Sequence, residues 1–275
     1  MLNNPLRQFF RRPALYLSLP SKGKFYPEGA IEMTENGEFP VYPMTAIDEI
    51  TSKTPDALFN GQAVVSIIKS CIPGIKDPWQ MPSVDIDASL IAIRAATNGT
   101  DLEVESKCPK CEEESKYGVN LIGLLGKMSV GNYDNMLNSG ELKIKLKPMN
   151  YTDINQGNLA QFEMQRDISS IESIVDQDER NEKSRTTMLK ISKMNIDMMM
   201  NSIEFIMIPT GEQVIDKAFI GEFLENCDRN VHDLIRKSIT SLRENTIIKP
   251  QQIKCIHCTY DYDQPLILNV TDFFA

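Results

Sequence analysis

The sequence predicts an α+β chain: a mainly helical body, a pair of β-hairpin knuckles resembling a zinc ribbon, and an extended N-terminal arm. Three observations carry that expectation. Apolar residues recur at helical spacing through two long blocks of the chain. Strict alternation, the mark of a half-buried strand, is confined to short stretches. Two Cys-x-x-Cys pairs, Cys108/Cys111 and Cys255/Cys258, each sit between two such stretches.

Residues 1–45 form the arm. Leu19-Pro20-Ser21-Lys22-Gly23-Lys24-Phe25-Tyr26-Pro27 is dense in turn-forming Pro and Gly. Ile31–Met33 and Val41-Tyr42 are candidate strands either side of the turn Glu35-Asn36-Gly37. Near the start, Arg7, Arg11 and Arg12 mingle with Phe9 and Phe10, a mixture suited to docking on a partner as well as to a loosely held terminus.

Residues 46–99 read as helical. Ala57, Val64, Val65, Ile67, Ile68 and Cys71 fall on one helical face, and Leu90, Ile91, Ile93 and Ala96 on another. Asn98-Gly99 closes the second helix with residues that tolerate the left-handed conformation.

Residues 100–149 change period. Leu102 and Val104 lead into the first knuckle, Tyr117, Val119 and Leu121 return from it, and Leu142, Ile144 and Leu146 alternate in a further strand. Residues 150–245 form a helical insertion. Within it, Thr210-Gly211-Glu212-Gln213 has the form of a capping box. The Met-rich run from Met194 to Met207 suits core packing or an adaptable binding face. The charges at Asp176-Gln177-Asp178-Glu179 read as a solvated face. Residues 246–275 return to strand character through Ile247-Ile248, the second knuckle, and Leu266-Ile267-Leu268.

A Cys-x-x-Cys turn places two sulfurs on one side of a metal ion, and a structural zinc needs two such turns. The expected ligands are therefore Cys108, Cys111, Cys255 and Cys258 around one shared zinc. The hairpins echo each other. Tyr117-Gly118-Val119-Asn120-Leu121 with Leu124-Leu125 follows the first knuckle, and Leu266-Ile267-Leu268-Asn269-Val270 with Phe273-Phe274 follows the second. Competing readings are a redox pair at Cys108/Cys111, which normally opens a helix, two separate disulfides, and His257 as a substitute ligand. Cys71 and Cys227 read as buried thiols, and His232 as an ordinary helical residue. Four protein ligands leave no open position, which points away from catalytic zinc.

Other chemistry is sparse. His232 and His257 are the only histidines and cannot be placed in a Ser-His-Asp arrangement, and no phosphate-binding glycine loop is present. The reading is non-enzymatic, with no small-molecule substrate. A net charge of -9 argues against a general nucleic-acid binder. No apolar run reaches membrane-spanning length, and the first residues lack a secretory h-region, so the cysteines are expected in a reducing compartment.

Several stretches in order carry a resemblance: Leu19 to Pro27, then Tyr42-Pro43-Met44-Thr45-Ala46-Ile47-Asp48-Glu49, Ser70-Cys71-Ile72-Pro73, Ile91-Ala92-Ile93-Arg94 and Cys108-Pro109-Lys110-Cys111. Their order resembles the baseplate hub proteins and hub assembly factors of T-even-like contractile-tailed bacteriophages. The resemblance implies a structural or assembly role in the tail baseplate, with other tail and baseplate proteins as partners. It also implies residence in the host cytoplasm during assembly, and leaves open whether the chain remains in the virion. The alternative is a zinc-ribbon module in a nucleic-acid transaction.

Overall fold

The computed structural model describes residues 4–54, 60–172, 174, 176–246 and 248–266. Ala57, Ile247, Ile267 to Val270, Phe273 and Phe274, to which the sequence assigned helical or strand roles, lie outside the described residues. The chain divides into two compact units: Met1–Ser129 with Ile247–Ala275, and Val130–Thr246.

The first unit opens with a 3₁₀ turn, Pro5–Phe9. Pro5 fits the first helical position, and Asn4 accepts a hydrogen bond from the Leu6 N–H. Strands β1 (Leu15–Leu17) and β2 (Phe39–Val41) then pair antiparallel. This differs from the expected hairpin about Glu35-Asn36-Gly37. The turn exists, with Gly37 at φ +73°, but Ile31 bridges to Ile75 instead of pairing across it. The partner of β2 is the distant Leu15 segment, which covers Phe39 and Val41, both 0% exposed.

Helices α1 (Ala46–Ser52), α2 (Gln62–Cys71) and α3 (Ser83–Asn98) follow. Thr45 and Asp48 cap α1 reciprocally: the Asp48 N–H donates to Thr45 Oγ1 while the Thr45 N–H donates to Asp48 Oδ2. Helix α3 is buried nearly all round, through Val84, Ile86, Leu90, Ile91 and Ile93, so it is the central element of this unit. Gly99, at φ +95°, ends it.

Two charged anchors fix the N-terminal segment. Arg11 donates to Pro43 O at 2.6 Å, Ser70 O at 2.7 Å and Ser70 Oγ at 2.9 Å, and its Nη1 lies 3.3 Å from Asp48 Oδ2. The base of the arm is therefore pinned, while Leu6, Phe9 and Phe10 beyond it stay exposed. Asp85, fully buried in the first turn of α3, accepts from the Ser21 N–H at 3.0 Å, from the Ser21 hydroxyl, and from the Tyr26 hydroxyl at 2.8 Å. The Pro/Gly-rich stretch is thus a loop folded around one carboxylate. Burial pushes the Asp85 pKa up, and hydrogen bonds from Ser21 and Tyr26 offset only part of that.

Strands β3 (Asp101–Lys107) and β4 (Glu114–Asn120) form one antiparallel hairpin, followed by the short helix α4 (Leu121–Leu125). Strands β9 (Gln251–Lys254) and β10 (Asp261–Gln264) form another.

The second unit carries a four-stranded antiparallel sheet in the order β5-β6-β7-β8, with β5 Met136–Ser139, β6 Leu142–Leu146, β7 Ile203–Met207 and β8 Gln213–Val214. Alternation in β6 turns Ile144 and Leu146 to the buried face. Between β6 and β7 the chain makes a long helical hairpin, α5 (Tyr151–Glu172) and α6 (Gln177–Asn201), and Asp176 caps α6. Helices α7 (Lys217–Asn226) and α8 (Arg229–Glu244) complete the unit, capped by Asp216 and Asp228.

Two expectations for this insertion differ from the structure. It is not wholly helical, because Ile203, Ile206 and Met207 pair in the sheet. Thr210-Gly211-Glu212-Gln213 is also not a helix cap. Gly211 takes φ +88° in a hairpin turn closed by the Ile208 N–H donating to Glu212 O at 3.0 Å. Gly211 tolerates the positive φ that this turn requires.

Candidate metal centre

Each cysteine pair lies on the turn of its own hairpin, and the two turns are built alike. In the first, the Cys108 N–H donates to Glu113 O at 3.0 Å and the Glu112 N–H to Cys108 O at 2.9 Å. In the second, the Cys255 N–H donates to Tyr260 O at 2.8 Å and the Thr259 N–H to Cys255 O at 2.9 Å. Glu112 and Thr259 hold φ +60° and +58°. The left-handed residue reverses the chain directly after the second cysteine, aiming both sulfurs of a pair to one side.

The hairpins bring all four sulfurs within 4.8 Å of one another. Cys108 Sγ lies 3.7 Å from Cys258 Sγ, and Cys111 Sγ lies 3.6 Å from Cys255 Sγ. These gaps exceed the roughly 2.05 Å of a disulfide. They match the edge of about 3.8 Å in a tetrahedron with metal–sulfur bonds of about 2.3 Å. Cys108 and Cys255 are 1% exposed, while Cys111 and Cys258 are partly accessible. Both of these contacts run between the pairs, so the four positions form a single cluster. Among the described residues the donor set is four sulfurs, which fits a structural zinc ion.

The local electrostatics favour a cation. Burial works against ionising Cys108, but hydrogen bonds from the Cys111 and Lys110 backbone and from neighbouring sulfurs outweigh it, bringing the thiol down to about 6. The Lys110 N–H lies 3.4 Å from Cys108 Sγ. At Cys111 a backbone hydrogen bond from Glu113 favours the thiolate. Burial and the sulfurs of Cys258, Cys255 and Cys108 override it and push the thiol to about 12. Crowded sulfurs share negative charge poorly unless a positive ion sits among them.

Sequence reasoning named all four sulfurs but missed what flanks them. Ser106, on β3, shares a hydrogen bond of 2.8 Å with the Tyr262 hydroxyl on β10 and donates to Gln264 Oε1. Lys110 Nζ lies 5.6 Å from the centroid of the Tyr260 ring. The expected echo also shifts register. β4 starts six residues after Cys108 and β10 six residues after Cys255, so Tyr117 corresponds to Gln264 rather than to Leu266. Aligning the cysteines instead of the apolar residues would have found it. His257 is exposed on its knuckle and absent from the sulfur cluster. Buried Cys71 lies 3.7 Å from Arg11 Nη1, and Cys227 ends α7.

A model of the family described as T4 bacteriophage base plate protein matches residues 39–275, a stretch that contains both knuckles. The chain belongs to that family. The match begins at Phe39, so residues 1–38, which include the exposed Leu6, Phe9 and Phe10 and the Asp85-binding loop, precede the stretch this base plate family shares. No curated protein and no solved structure matches the chain. Among the described residues, no helix of this base plate family member is long and apolar enough to cross a membrane.

Proposed function

We propose that the chain is a non-enzymatic structural or assembly component of a phage tail baseplate hub, acting by protein–protein binding, with one zinc ion stapling its two knuckles. The observation that carries the reading is family membership over residues 39–275, joined to a four-sulfur cluster of tetrahedral dimensions. Zinc in such a site contributes folding free energy directly and offers no coordination position to a substrate. The N-terminal arm, apolar at Leu6, Phe9 and Phe10 and pinned at Arg11, is the docking element toward neighbouring tail proteins. Assembly takes place in the host cytoplasm, and the particle's tail baseplate is the destination.

The nucleic-acid alternative is disfavoured by the surroundings of the knuckles. Glu103, Glu105, Glu112, Glu113, Glu114, Asp261 and Asp263 are all exposed around them, and carboxylates there repel phosphates.

Native mass spectrometry of the chain with and without a strong chelator tests the staple. The expected mass is that of one zinc per chain, lost together with cooperative structure. A metal-free mass, or one reduced by disulfide formation, sinks it. Association with purified tail subunits that persists at high salt supports the binding role, whereas salt-sensitive retention on DNA supports the alternative.

A further inference from the structure

The α5–α6 hairpin carries a groove of about 360 Å³ along the seam between its helices. Its floor is apolar and yielding: Gly157 and Ala160 keep α5 thin, and Met164, Met194 and Met198 supply side chains that adapt to irregular partners. Its rim carries four carboxylates and two cations, Asp153, Glu163, Asp167 and Asp197 with Lys190 and Lys193. Lys190 is bound to Asp167 at 2.9 Å and Lys147 and Lys217 lie near Asp153, so the acidic character rests on Glu163 and Asp197. An apolar floor with a carboxylate rim selects a short segment combining aromatic side chains with cations.

The chain itself contains a segment of that chemistry. From Asn4 to Arg12 it reads Asn-Pro-Leu-Arg-Gln-Phe-Phe-Arg-Arg, with three cations and no carboxylate. Leu6 is 61% exposed, Phe9 76% and Phe10 58%, and Arg7 and Arg12 are exposed beside them. The 3₁₀ turn and the Arg11 anchor hold this segment in a defined shape before any contact, which lowers the ordering cost of binding.

We infer that the arm of one copy seats its aromatic side chains in the α5–α6 groove of a second copy. This rests on the protein-binding reading above and names the neighbour. Arm and groove are different surfaces, so the contact is heterologous: repeated from copy to copy, it closes a ring or extends a filament.

The test is sedimentation velocity of the full chain over a range of concentrations, in wild type and in two variants. Gly157→Leu blocks the groove safely, because a Cβ at Gly157 meets nothing within 4 Å. Phe9→Ser with Phe10→Ser strips the arm at exposed positions. The expected result is self-association that grows with concentration and is lost in each variant. The self-association constant should fall at least about tenfold in each variant and weaken with salt. A chain that stays monomeric throughout, or self-association equal in wild type and Gly157→Leu, overturns the inference. Neither result touches the baseplate reading, which fails separately if the chain is absent from purified tails and from their assembly intermediates.

Discussion

Thr259 occupies in the second knuckle the place that Glu112 occupies in the first. Both hold positive φ, and both donate their N–H to the carbonyl of the first cysteine at 2.9 Å. The left-handed region costs an L-residue about 1–2 kcal/mol, and a β-branched side chain suffers most. Glycine removes that strain but loses roughly 0.5–1 kcal/mol of unfolded-state entropy. Thr259→Gly should therefore stabilise the zinc-loaded protein by up to about 1 kcal/mol, with a smaller gain for Glu112→Gly. Thermal unfolding at fixed zinc checks this, and a lower Tm in Thr259→Gly would contradict the strain argument.

Metal removal should act on one unit. All four sulfurs belong to the unit formed by Met1–Ser129 and Ile247–Ala275. Structural zinc is worth about 10–16 kcal/mol in small fingers, comparable to the entire stability of a domain. Chelation, or Cys255→Ser, should abolish or strongly lower one calorimetric transition and leave the other, assigned to Val130–Thr246, in place. Equal loss of both would show that the units do not unfold independently.

Asp85 should be required for the loop that surrounds it. Asp85→Ala leaves the Ser21 N–H, the Ser21 hydroxyl and the Tyr26 hydroxyl without their acceptor in a buried site. At about 1–3 kcal/mol for each unsatisfied group, a loss of several kcal/mol in urea unfolding is expected. The pH dependence has a definite sign. Burial raises the Asp85 pKa in the folded state, so the folded chain holds this proton more tightly than the unfolded chain. Its contribution to stability is present below the ordinary aspartate value and declines as pH rises from there through the folded value. Asp85→Asn should flatten that part of the profile.

Gly74 should not accept a side chain. A Cβ there would lie 2.7 Å from the Glu32 carbonyl oxygen and 2.7 Å from Phe39 Cδ1, because the Glu32 N–H donates to Gly74 O at 2.7 Å. Gly74→Ala must displace backbone and a buried ring, at about 1–3 kcal/mol. Unchanged denaturant stability would mean that the loop moves aside freely.

Local signals made much of this fold legible. Apolar spacing marked α2 and α3, alternation marked β6, and the paired cysteines marked the knuckles, since each depends on neighbours a few residues away. What stayed hidden depends on residues far apart. Nothing near Phe39 indicates that its partner strand starts at Leu15, and nothing near Arg11 names Ser70. Asp85 reads as an ordinary first-turn acid until Ser21 and Tyr26 are seen around it. Thr210 to Gln213 misled because one tetrapeptide satisfies both a cap and a turn, and the pairing of Met207 with Gln213 made the choice.

The separation of Cys111 from Cys255 by 144 positions also sets a timetable. A ribosome adding about 5–20 residues per second finishes the second pair roughly 7–29 s after the first. The whole of Val130–Thr246 is made in that interval. Cys108 and Cys111 then wait as half a site, exposed to oxidants and to any stray metal, while the segment destined to separate them from their partners is already free to fold. If the four sulfurs share one ion, the site therefore closes between an old hairpin and a newly made one, and metal supply at that moment limits how many chains complete it.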